Sequence, residues 1–320
     1  MERTESGMES DTEESLVDKV MRTVWVPWQR ERRLVREQER MLATRRSAWL
    51  DAGSYHAVVL RCDGGVACWG SNDDGQAPPD GVDGDFVATT AGGFHSMALR
   101  RNGSVECWGL DTPDGVEGDF VAISAGGYHS LALRRNGSVA CWGWNNRGQA
   151  PPDGVEGDFV TISAGSYHSL ALRRNGNVAC WGWNNRGQAP PDGVEGDFVA
   201  ISAGGYHSLA LRRNGSVACW GSNDDGQAPP DGVEGDFVAI SAGGYHSLAL
   251  RSNGSVACWG SNDDGQAPPD GMDGDFVAIG AGTCFSVALR RDGSIACWGH
   301  NDDGQAPPAG VHGPFKTQEL

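Results

Sequence analysis

The sequence predicts an all-β protein: a seven-bladed β-propeller of short three- to four-stranded blades, with an α-helical N-terminal extension. Three observations carry this. A segment of the type Ala242-Gly-Gly-Tyr-His-Ser-Leu-Ala-Leu-Arg251 recurs seven times, opening near residues 52, 91, 125, 164, 203, 242 and 281. The steps are 39 residues except for one of 34. Each unit carries short apolar runs separated by Gly, Asn and Pro. A unit of this length cannot bury its apolar faces alone, so the units must stack. The outer units look like the inner ones and not like polar caps. A closed ring is therefore expected rather than an open solenoid.

Each unit reads as three strands. In the sixth these are Phe237-Val-Ala-Ile-Ser241, His246-Ser-Leu-Ala-Leu-Arg251 and Ser255-Val-Ala-Cys-Trp-Gly260. Leu248 and Leu250 share one face of the middle strand, and Ser247 and Ala249 share the other. Small residues on the second face let a neighbouring sheet approach. Asn253-Gly254 between apolar runs predicts a hairpin with a type I′ turn. A loop of Gly, Asp and Pro-Pro follows the third strand and ends regular structure. Two segments compete to close the ring, Ser47–Asp51 and Pro314–Gln318. The first is expected in the first-strand slot of blade 1, with the second beside it or fraying.

The domain boundary falls at residues 46 and 47. Residues 47–320 are the propeller. Residues 1–46 are a charged helical extension. Leu16, Val17, Val20, Met21, Val24 and Trp25 form a helical apolar stripe. Thr12 is a candidate cap and Pro27 a stop. A second, Arg-rich helix is expected over 28–46, and residues 21–50 carry a net charge of +5. This basic helix is expected to dock in cis or to bind a second protein.

Composition bounds the function. The chain has 320 residues, 48 of them glycine, and a net charge of -17 that sits entirely in residues 51–320. That field repels phosphate backbones and attracts basic partners, so direct nucleic-acid binding by the propeller is not expected. No run approaches the ~20 apolar residues of a membrane span. No secretory leader is read at the start, so a cytoplasmic protein with reduced thiols is expected. Of nine cysteines, Cys68, Cys107, Cys141, Cys180, Cys219, Cys258 and Cys297 share one repeat position. They lack paired ligand spacing and read as small hydrophobes.

The pattern Gly-x-x-His-Ser-x-Ala-Leu, then Asn-Gly-x-Val, then Cys-Trp-Gly-x-Asn-x-x-Gly-Gln closely resembles repeats of the regulator of chromosome condensation family. The resemblance covers about residues 47–315 and implies a seven-bladed propeller. The compact unit is similar to the blades of a bacterial β-lactamase inhibitor in that family. By resemblance alone, two alternatives stand beside a binding scaffold. One is a guanine-nucleotide exchange factor or regulator of a small GTPase. The other is a stoichiometric enzyme inhibitor. The β-wedge insertion that exchange uses in the family has no counterpart here, where the one irregular unit (91–124) is a deletion. The family's light sensor uses a Gly-Trp-Arg-His-Thr motif; Tyr128, Tyr167, Tyr206 and Tyr245 stand at its tryptophan.

Repeated residues read as structure. His56, His95, His129, His168, His207 and His246 share one position, with Phe285 as the seventh, and are expected to bond backbone at blade starts. Trp69, Trp108, Trp142, Trp181, Trp220, Trp259 and Trp298 read as blade core. Asn-Asp-Asp-Gly at 72–75, 223–226, 262–265 and 301–304 lacks the downstream Glu of a calcium loop. Asp73 and Asp74 have no nucleophile or positioned histidine beside them. No enzymatic activity, cofactor or metal is expected.

Residues that break the repeat are the candidates for function. After Cys-Trp-Gly come Ser71, Leu110, Trp144, Trp183, Ser222, Ser261 and His300 in chain order. Arg147 and Arg186 replace the acids Asp74, Asp225, Asp264 and Asp303 of other blades. Blade 2 has lost part of its loop. Leu110, Trp144, Arg147, Trp183 and Arg186 are thus the expected partner-binding residues, since Trp and Arg dominate binding hot spots. The expected function is a non-catalytic scaffold. It holds a protein partner, with a basic surface, through loops on one propeller face.

Overall fold

The computed structural model describes residues 49–317. The extension over 1–46 falls outside them. Within them are seven three-stranded antiparallel sheets, each built from consecutive strands. Blade 6 is representative, with an inner strand Phe237–Ala242, a middle strand His246–Arg251 and an outer strand Val256–Gly260. The inner strand of every blade touches the inner strands of both neighbours, blade 1 meeting blade 7, so the ring is closed. A fourth strand survives as a single bridge per blade, such as Val256 to Met272.

The middle strand fixes how blades stack. Its side chains alternate between faces. Leu248, Leu250 and Val256 point forward and pack on Phe276, Ile279, Ala281 and Ala288 of blade 7. Ala249 points backward into the cluster of Leu209 and Leu211 of blade 5. Large side chains on one face meet small ones on the next. Each fully buried leucine contributes about 1.5–3 kcal/mol by leaving water.

The hairpin between middle and outer strands differs from the expected type I′ turn. Only glycine takes positive φ there: Gly254 lies at +90° while Asn253 stays negative. The Gly254 N–H donates to the Arg251 carbonyl at 3.0 Å, and the Arg251 N–H donates to the Ser255 carbonyl at 2.8 Å. This is a three-residue loop, a type I turn followed by a left-handed glycine. Asn253 Oδ1 accepts from the Ser255 N–H and hydroxyl, at 2.9 and 2.8 Å, which holds the asparagine in its turn conformation. Asn-Gly signals a hairpin either way; the side-chain bond selects the longer loop.

The arginine that ends each middle strand lies opposite the phenylalanine that begins the inner strand, as Arg251 does Phe237. In six blades the guanidinium stacks over that ring, from 4.7 Å in blade 2 to 5.6 Å in blade 5. A planar cation suits that stack better than an ammonium, and arginine stands at this position in all seven blades.

Closure uses both termini in one strand slot, not one of them. Leu50, Asp51 and Ala52 pair with Val59, Val58 and Ala57. Phe315 continues the same line and bridges to Arg61. The Leu60 N–H donates to the Trp49 carbonyl at 2.7 Å, and Lys316 N–H donates to the Leu60 carbonyl at 3.0 Å. Phe315 thus occupies the position of Phe237, while residues 49–52 supply the rest of the strand. Its ring is buried with Leu50, Val59 and Leu289. The middle strand has too many unpaired groups for either piece alone, so each saturates what the other leaves open.

Candidate functional site

The recurrent histidines do not bond backbone at their own blade's start. Each reaches into the next blade. His207 Nε2 lies 2.8 Å from Ser247 Oγ, and the same contact joins His56 to Ser96, His95 to Ser130, His129 to Ser169, His168 to Ser208 and His246 to Ser286. The Ser247 hydroxyl donates to the Gln227 carbonyl at 2.9 Å, so histidine Nε2–H is the donor to serine. The tryptophan indole of the next blade donates to that same carbonyl, Trp259 Nε1 to Gln227 at 2.9 Å. These tryptophans therefore sit between blades rather than within one. Gly204 admits the histidine ring: a Cβ there would lie 2.7 Å from His207 Cε1 and 2.5 Å from the Gly243 carbonyl.

Burial holds these imidazoles neutral. The pKa falls to about 3 at His56, His129, His168 and His207, and to about 4 at His95 and His246. Burial also pushes the seven repeated thiols up to about 12, which leaves them unreactive. Among the described residues no group of His, Cys, Asp and Glu is arranged to hold a metal.

The same network locks the loop after each outer strand. Asn223 Oδ1 accepts from the Ala228 N–H at 2.8 Å, and Gln227 Oε1 accepts from the Asp225 N–H at 2.9 Å. The loop then leans over the following blade, with Ala228 buried beneath it. The residue after Cys-Trp-Gly is tied to the residue before the histidine: the Trp144 N–H donates to the Tyr128 carbonyl, and that of Trp183 to the Tyr167 carbonyl, both at 2.9 Å. That bond places loop tryptophans and pre-histidine tyrosines at one end of the molecule.

There they form a continuous aromatic row. Phe94 stacks on Tyr128 at 5.0 Å between ring centres. Tyr128 meets Trp144 at 6.1 Å, Trp144 meets Tyr167 at 5.7 Å, and Tyr167 meets Trp183 at 5.7 Å. Trp183 meets Tyr206 at 5.6 Å, and Tyr206 meets Tyr245 at 5.8 Å. Most contacts are edge-on, the geometry the ring quadrupoles prefer. Tyr128 and Tyr245 stay 43% and 37% exposed in a folded core-forming array.

The structure thus brings Trp144 and Trp183 together through Tyr167. Leu110 is 41% exposed on the neighbouring blade. Arg186 pairs with Asp224 of blade 5 at 3.1 Å, whereas Arg147 makes no ion pair among the described residues. The tyrosines and Phe94 were missed as site residues. Their signal was present, an aromatic before the histidine in blades 1 to 6 that gives way to Cys284 in blade 7. The remainder of the face is acidic, with Asp224, Asp225, Asp263, Asp264, Asp302 and Asp303 on its loops. His300 sits between Asp264 and Asp302, 3.7 Å from each.

Blade 2 interrupts the pattern. Its shortened loop turns at Asp111, the one non-glycine residue with positive φ (50°) among those described. It has no Gln to offer to blade 3. A cleft of about 530 Å³ opens there, lined by Phe94, Leu110, Tyr128, Ser130, Trp142 and Trp144 among others.

Such a ring of His-Ser-linked, three-stranded repeats defines a propeller of one particular repeat class. The family model of the regulator of chromosome condensation (RCC1) repeat matches residues 50–76, 120–149, 159–188, 198–227, 237–266 and 276–305. The chain belongs to that family. The matched segments leave out blade 2. The fold is similar to the CRINKLY ectodomain of the Arabidopsis thaliana receptor kinase ACR4 (25% identity, TM-score 0.65, 82% of this chain and 98% of that one). It is also similar to the ectodomain of the Physcomitrella patens receptor kinase CR4 (28%, TM-score 0.62, 78% and 71%). Prp20p of Saccharomyces cerevisiae, described with its binding to Gsp1p and histones, shares the fold at 21% identity (TM-score 0.63, 75% and 81%). No curated protein matches the sequence.

Proposed function

We propose that this RCC1-repeat propeller is a non-catalytic scaffold that binds a protein partner on the face carrying the aromatic row. The carrying observation is the unbroken chain of rings from Phe94 to Tyr245, part-exposed and bordered by charge. Aromatic anchors with a polar rim are what desolvated interfaces use for affinity. The acidic loops of blades 5 to 7 favour a partner with a basic surface and speed its approach. The neutral histidines and high-pKa thiols supply no poised acid, base or nucleophile. The test is capture of partners by wild type and by Trp144→Ala/Trp183→Ala, both first shown to be folded. Loss of a partner from the double variant alone supports this face; equal capture overturns it. A nucleotide-release assay on that partner separates the reading from exchange, which acts at sub-stoichiometric amounts.

A further inference from the structure

In six of the seven blades, the tryptophan indole is bonded to the main-chain carbonyl of a glutamine from the preceding blade. Trp69 bonds Gln305 at 3.0 Å; Trp108, Trp181, Trp220, Trp259 and Trp298 bond Gln76, Gln149, Gln188, Gln227 and Gln266 at 2.9 Å. In five of them a serine hydroxyl donates to the same oxygen at 2.9 Å. Blade 3 keeps both donors, Trp142 and Ser130. The glutamine that would face them is missing from blade 2. Trp142 Nε1 has no acceptor among the described residues, and the one partner of Ser130 Oγ there is His95 Nε2, at 2.8 Å; both residues line the open cleft.

We propose that this cleft binds an extended peptide segment of a partner protein that replaces the missing loop. Its recognised core is a main-chain carbonyl followed by a small residue and proline, the chemistry of Gly-Gln-Ala-Pro. This rests on the scaffold reading above and names what that face recognises. The carbonyl accepts from Trp142 Nε1 and Ser130 Oγ. The small residue takes the place that Ala77, Ala150 and Ala189 fill elsewhere, each only 3% exposed. Pro190, the proline after Gln188-Ala189, lines a groove with Phe198, Ala218, Cys219 and Trp220 of the next blade. The proline of the peptide takes the matching place beside Phe120, Ala140, Cys141 and Trp142, an aromatic-lined groove of the kind that favours pre-organised proline segments. The cavity volume falls within the range of built ligand sites.

The test uses the full chain and the peptide acetyl-Asp-Gly-Gln-Ala-Pro-Pro-Asp-amide, the sequence of residues 74–80, followed through indole N–H resonances. One indole signal, absent from Trp142→Phe, is expected to move on titration. Trp142→Phe and Ser130→Ala should each weaken binding by roughly tenfold, the share of one lost hydrogen bond. A variant with the five deleted residues restored to blade 2 should show that signal already shifted and bind no peptide. No shift at millimolar peptide, or equal binding by the restored variant, overturns the proposal. The two readings fail separately. A partner captured equally by wild type and by the restored variant, but lost from Trp144→Ala/Trp183→Ala, keeps the binding face and removes the peptide cleft.

Discussion

Phe285 of blade 7 and Ala57 of blade 1 lie in one buried cluster, at the place where every other pair of neighbouring blades has a histidine bonded to a serine. Both polar partners are replaced together at the seam, so neither is left buried without its mate. An unpaired buried donor or acceptor costs about 1–3 kcal/mol, whereas replacing both by apolar groups is near neutral. The natural seam therefore predicts a mutational cycle. Ser247→Ala alone should lower stability by about that cost. His207→Phe/Ser247→Ala should recover most of the loss, because it copies Phe285 and Ala57. Urea unfolding of the three proteins checks this. A double variant that loses more than Ser247→Ala would contradict the seam account.

The histidines also set the acid limit. Their folded pKa values lie near 3 to 4, below the ordinary value near 6.5. Unfolding lets them take up protons once the pH drops below 6.5. The stability they permit is full above that pH and is lost as the pH falls toward their folded values. Each contributes a slope of up to about 1.4 kcal/mol per pH unit in that window. Asp51 acts in the opposite sense: burial raises its carboxyl to about 6, against the bonds it accepts from Ala91, Thr90 and Ala52, so falling pH favours its folded form. Six groups outweigh one. The urea midpoint should fall steeply between pH 6.5 and 4, and less steeply in His207→Phe/Ser247→Ala.

The shared strand predicts a sharp dependence on the C-terminal segment. Phe315→Ala should destabilise by roughly 3–5 kcal/mol, as truncation of a buried ring does. Deleting residues 314–320 should do at least as much and also promote association, since it exposes an unpaired edge at Leu60 to Cys62. Denaturant unfolding and sedimentation read the two effects. Unchanged stability in Phe315→Ala would mean that residues 49–52 close the ring alone.

Trp183 separates binding from folding. Its Nε1 is buried with no partner among the described residues. Trp183→Phe keeps a ring between Tyr167 and Tyr206 and removes that unpaired N–H. It should leave stability unchanged or raise it by about 1 kcal/mol. Trp183→Ala should instead break the row and lower stability, by about 1–3 kcal/mol for this half-buried ring. Calorimetry on both variants distinguishes them. A destabilised Trp183→Phe would point to a bond that the indole does make.

Much of the fold was legible because a strand's pattern reports its own two faces. The period gave seven blades, the Leu-x-Leu and Ser-x-Ala alternation gave the forward and backward sides, and Asn-Gly marked the hairpin. The turn type was not legible, since it depended on whether Asn253 bonds Ser255. Part of the site was also legible, through the exchange of Ser for Trp144 and Trp183 and the shortened loop at Leu110. The tyrosines escaped because a repeated residue reads as scaffold.

By itself, then, the sequence determined the repeat, its strands, the size of the ring and the residues that break its symmetry. These follow from spacing and side-chain size within one unit. Tertiary structure alone decided three things. His207 meets Ser247, 40 residues away, rather than its own backbone. Phe315 and Leu50 share one strand. Trp142 and Ser130 face a cleft instead of a glutamine carbonyl. Each is a contact between units, set by the rotation from one blade to the next. Periodicity along the chain carries no record of that rotation.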